Sequence, residues 1–112
     1  TILGEGEMPS NEILIYRPAE VGFVTNVATA PAILLDGRPI GTCRIGQPIV
    51  LRVPAGTWTI SALGQSGEIV REVSVRDGAR ASLRCGTTAD PFKPAPTLVM
   101  VDAVTGFEEA GL

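Results

Sequence analysis

Two cysteines, 12 carboxylates and 9 basic side chains carry the chemical capability of this 112-residue chain, which contains no histidine. A carboxylate or a cysteine would therefore have to act as any general base, and a cysteine nucleophile would lack the imidazole that usually activates it. Cys43 and Cys85 lie too far apart for a CxxC pair, and without histidine they complete no ordinary zinc set. Two readings remain for them: a structural disulfide, or two buried thiols packed as small apolar groups. A small β domain rich in Gly and Pro favours the disulfide, and such a bond implies an oxidising compartment.

The carboxylates form no fixed pair. Glu5, Glu7, Glu12 and Glu20 fall in expected leader or turn segments, Asp36 and Asp77 precede glycines in turns, and Glu108 and Glu109 lie near the end. The two aspartates are expected to bond the backbone of their own turns. Gly4-Glu5-Gly6 is followed by no helical pattern, so it is a poor dinucleotide signal. The one cluster with binding character is basic. Arg80 and Arg84 share the outward face of one strand, and Arg71 and Arg76 would join them if the preceding strand pairs across Asp77-Gly78. These four residues form the candidate face for an anionic or carbohydrate ligand. No catalytic residue, metal site or cofactor is expected.

Short strands must position these groups. Aromatic residues make up only 4 %, while 13 glycines and 9 prolines disfavour long helices and suit frequent turns. In the segment Ala32 to Ala62, Ile49, Leu51 and Val53 alternate with polar or outward positions, and Trp58, Ile60 and Ala62 repeat the pattern. The expectation is a hairpin at Asp36-Gly37 and a second at Pro54-Ala55-Gly56. The two join at a corner over Ile45-Gly46-Gln47-Pro48, with Gly56 at positive φ and the Trp58 ring toward the core. Glu12 to Arg17 reads as a strand partly covered on both faces. Ala32 to Asp36 reads as a central strand, and Arg38 to Arg44 as an edge strand because of Pro39. Gly22 to Val27 is a further short strand candidate. Between Glu68 and Arg76, Arg71 interrupts an apolar face, which implies either a bulge or a guanidinium at the rim. After a third turn at Asp77-Gly78, Ala79, Ala81, Leu83 and Cys85 point inward. Leu98 to Ala103 is strand-like, and Phe107 to Leu112 is a frayed turn or a short helix.

The resulting expectation is an all-β antiparallel sandwich of about seven strands over residues 12–86. A flexible leader over residues 1–11 precedes it, and a Pro-rich linker with a C-terminal strand or tail over residues 87–112 follows. The net charge of −3 argues against a nucleic-acid partner. The chain has no apolar run of the roughly 18 residues that span a bilayer and no signal-peptide pattern at its start.

The order IYRP, LLDGRPIG, VPAGTWTI and VRDGARASL, from about Glu12 to Gly86, resembles the PEGA domain and related bacterial lipoprotein-like domains of unknown function. The PEGA tetrad itself appears as Pro54-Ala55-Gly56-Thr57, and the tail after Gly86 has no counterpart. The resemblance implies a transthyretin-like or immunoglobulin-like β-sandwich outside the cytoplasm, in the periplasm or on an outer-membrane lipoprotein. It also implies a structural or protein-interaction role, with another envelope protein as the expected partner. Contact with a membrane would come only through a lipid anchor upstream of Thr1. The resemblance brings no catalytic residues with it.

Overall fold

A computed structural model of the chain describes residues 11–18, 30–64, 67–87 and 95–111. Among the described residues, eight strands and one helix follow in order: β1 Asn11–Tyr16, β2 Ala32–Leu35, β3 Arg38–Thr42, β4 Ile49–Val53, β5 Gly56–Gly64, β6 Gly67–Val75, β7 Arg80–Thr87, β8 Pro96–Val101 and α1 Ala103–Glu109. They form two four-stranded sheets, ordered β4-β1-β7-β8 and β3-β2-β5-β6. The inward faces enclose one core, built from Ile13, Ile15, Ile33, Val53, Ile60, Ala62, Val73, Val75, Leu83 and Leu98. The fold is thus the expected small all-β sandwich, with eight strands where about seven were anticipated. No helix among the described residues is long and apolar enough to cross a membrane.

The Asp36-Gly37 hairpin joins β2 and β3 as the sequence predicts. Both residues adopt positive φ, 48° and 86°, and the Asp36 carboxylate, expected to bond its own turn, accepts instead from Thr59 N of β5 at 2.8 Å. Trp58 packs against the core and donates its indole N–H to Pro54 O at 3.0 Å. β2 is central and β3 is an edge. The Ile45-Gly46-Gln47-Pro48 corner forms around a turn with Gly46 at φ 79°. The register of β6 on β5 runs without a shift, which decides the position of Arg71. Its guanidinium sits at the rim, and Nε donates to Leu98 O at 3.0 Å on β8 of the other sheet.

Neither the expected hairpin at Pro54-Ala55-Gly56 nor the turn at Asp77-Gly78 pairs its flanking strands; both are crossovers. β4 pairs with β1, not with β5, so Pro54-Ala55-Gly56 carries the chain from one sheet to the other. β6 and β7 likewise lie in different sheets, so Asp77-Gly78 is also a crossover. Alternation tells which face of a strand is buried but is silent about its neighbour, and the same turn chemistry serves both connections. Gly56 does adopt positive φ, at 150°. The sandwich is also not wholly antiparallel, because β1 and β7 pair in parallel.

The expected boundaries shift at both ends. Asn11, assigned to the leader, is the first residue of β1 and is buried. Residues 1–10 and the Gly22 to Val27 candidate lie outside the described residues. β8 pairs with β7, and α1 packs on the outward face of β7 and β1, so residues 95–111 complete the sandwich that was expected to end at Gly86.

Candidate functional site

The disulfide reading holds: Cys43, just after β3, is bonded to Cys85 on β7, with their Cα atoms 6.3 Å apart. The bond staples one sheet to the other through the core. Nearby, the buried Arg17 donates from an Nη to Cys43 O at 3.4 Å.

The four candidate arginines do not form one face. Arg71 belongs to β6 and reaches Leu98 O, and Arg76 lies exposed at the end of that strand, before the crossover. Arg80 and Arg84 do share the outward side of β7, two residues either side of Ser82, as alternation requires. There they meet partners that sequence reasoning did not bring together.

At one end of this face, Glu12 of β1 stands in register with Arg52 of β4 and Arg80 of β7 and bridges both, at 3.6 and 3.1 Å. The Arg80 guanidinium also lies over the Phe107 ring of α1, 4.8 Å from its centroid. At the other end, Tyr16 of β1 is in register with Arg84. Both converge on Glu109 of α1: the Tyr16 hydroxyl donates to Oε1, and an Nη of Arg84 reaches the same oxygen at 2.7 Å. Between the two ends, Leu14 and Ser82 are fully buried under the helix. Gly106 sits directly on Ser82, where a Cβ would collide with the serine Cβ and Oγ. The helix begins at Asp102, whose carboxylate accepts from Thr105 N at 3.2 Å.

The electrostatics follow from this geometry. Burial, then the hydrogen bond to Glu109, pushes the Tyr16 phenol above its ordinary range. The hydrogen bonds from Tyr16 and Arg84 hold the Glu109 carboxyl below the usual glutamate range. The same carboxylate raises Arg84 further. Chemically, the cluster is a carboxylate receptor made of one phenol and one guanidinium. It is not an arrangement for proton transfer at neutral pH, where both cationic and anionic partners are fully ionised.

Glu12, Tyr16 and Glu109 were the functional partners that sequence reasoning missed. One signal was present: Glu12 and Tyr16 have the same four-residue spacing as Arg80 and Arg84, although only the structure makes β1 and β7 parallel neighbours. A second was the D-x-x-T cap at Asp102 ahead of Phe107 and Glu109.

Set beside protein-family models, curated proteins and solved structures, the chain matches none. Its function therefore has to be argued from its own residues.

Proposed function

We propose that this chain is a non-enzymatic structural or protein-interaction module of an extracytoplasmic bacterial envelope protein, PEGA-like in the order of its turns. The observation that carries the reading is the Cys43–Cys85 bond across the sandwich, which is compatible with an oxidising compartment. In support, the described carboxylates that make contacts do structural work. Asp36 ties the β2–β3 turn to β5, Asp102 caps α1, Glu12 ties three strands, and Glu109 anchors the helix.

The precursor and the thiols test this together. An export signal ahead of Thr1, ideally with a lipobox cysteine, and no titratable thiol in the denatured, unreduced protein are the expected results. Two titratable thiols and a precursor that is not exported would overturn the compartment. Turnover of a hydrolase substrate panel above a boiled control would overturn the non-enzymatic role.

A second reading is a module for carbohydrate or small anionic ligands, favoured by Arg80 and Arg84 on one strand face. It requires binding on a glycan array that Arg80→Ala and Arg84→Ala abolish.

A further inference from the structure

As a helix, α1 contributes little stability of its own. The helix has seven residues with Gly106 near its middle, and neither an acidic side chain in its first turn nor a basic one in its last. What holds it is the sheet: Gly106 on Ser82, Phe107 under Arg80, and Glu109 between Tyr16 and Arg84. With α1 seated, Tyr16 beneath it is only 2 % exposed and Leu14 and Ser82 are at 0 %.

The site is also only half filled. Arg84 meets Glu109 through one Nη, while its Nε is buried and has no hydrogen-bond partner. A guanidinium presents Nε and Nη as a fork matched to both oxygens of a carboxylate, and a buried donor left unpaired costs free energy. A carboxylate approaching side-on would satisfy both nitrogens and still accept from Tyr16. Charge points the same way. With Glu109 withdrawn, Arg52, Arg80 and Arg84 face Glu12 alone on the outward side of β4, β1 and β7 among the described residues.

We propose that Tyr16 and Arg84 form a carboxylate-binding site for an acidic segment of a partner protein, and that α1 occupies this site in cis through Glu109. The inference rests on the interaction-module reading and names its site. The partner segment exchanges one carboxylate for another, so the buried phenol is never left without an acceptor. It places a small residue over Ser82 and an apolar or aromatic side chain against Arg80, as α1 does with Gly106 and Phe107.

The test uses the full chain and a fluorescein-labelled peptide with the sequence of residues 102–111, beside a control peptide with glutamine at both glutamate positions. Two variants release α1 by different means: Glu109→Gln removes its anchor, and Gly106→Val drives it from Ser82. Both are expected to bind the acidic peptide about tenfold or more tighter than the natural chain and to ignore the control. Adding Arg84→Met to Glu109→Gln should abolish the gain. Equal binding of both peptides, no gain in either released variant, or indifference to Arg84→Met overturns the proposal. So does a dimer in the ultracentrifuge that accounts for the gain, since the occupant would then be a second copy. Loss of the β-sheet circular dichroism spectrum in both released variants also counts against it, because α1 would be structural. Any of these results removes the site and leaves the interaction-module reading standing; that reading falls separately, on catalytic turnover.

Discussion

Asn11 shows how one polar side chain can hold strand ends that the backbone alone does not. Its Oδ1 accepts from Ala79 N at 2.9 Å and its Nδ2 donates to Val53 O at 3.3 Å, joining the end of β4 to the approach of β7. Asn11→Ala should lower unfolding free energy by about 1–3 kcal/mol, read as a lower urea midpoint, because both hydrogen bonds of a buried carboxamide, to Ala79 N and Val53 O, are lost. Tyr16 offers a second test, since it is the only tyrosine. Phenolate absorbance should rise at a higher pH than for a free tyrosine, and Glu109→Gln should bring that titration down toward the ordinary range. The linked stability has a definite sign: the folded chain holds the phenol's proton more tightly, so the contribution is complete below about pH 10 and is lost as pH rises beyond it. Glu109 works in the other direction. Its stabilisation is present above the ordinary glutamate range of about 4.3 and is lost as pH falls through its lowered value.

At the scale of elements, local chemistry was legible wherever it acts locally. The alternation of β7, with Leu83 and Cys85 inward and Arg80 and Arg84 outward, was visible in the chain, as were the β2–β3 hairpin and the edge position of β3. Asp36→Ala should cost about 1–2 kcal/mol in chemical denaturation, since alanine tolerates φ 48° poorly and cannot accept from Thr59 N. Asp77 adopts nearly the same conformation, at φ 58°, yet serves a crossover. After Asp77-Gly78, Ala79 N is shared between Arg76 O and the Asn11 carboxamide, and Ala79 O accepts from Glu12 N, so β1 captures the chain before it can fold back on β6. Identical turn residues therefore predicted a turn correctly and a strand pair wrongly. The short helix, one of two readings of Phe107 to Leu112, starts four residues earlier, at Ala103, because its seven residues are set by contact with Ser82, Arg80 and Arg84 more than by any periodic pattern of their own.

For the whole molecule, the decisive link is between sheets. The Cys43–Cys85 bond spans a sequence separation of 42 residues, for which the chain-entropy model gives about 4 kcal/mol of stabilisation. A Cys43→Ala, Cys85→Ala variant should lose about 2–5 kcal/mol, and dithiothreitol should shift the natural chain's urea midpoint in the same direction while leaving the variant unmoved. Arg71 performs a smaller version of the same task at the opposite seam, and Gly64 lets Pro96 approach so closely that an added Cβ would lie 3.2 Å from its Cδ. These contacts draw β8 against β5 and β6 and make the C-terminal segment part of the sandwich.

The sequence alone determined the class of fold, the buried face of most strands and the positions of the turns, because each depends on side-chain period or on backbone preferences within a few residues. Tertiary structure alone decided which strands are neighbours, that β1 and β7 run in parallel, and that Tyr16, Arg84 and Glu109 meet. Those outcomes depend on contacts across as many as 93 residues, between Tyr16 and Glu109, and no local rule carries information over that distance.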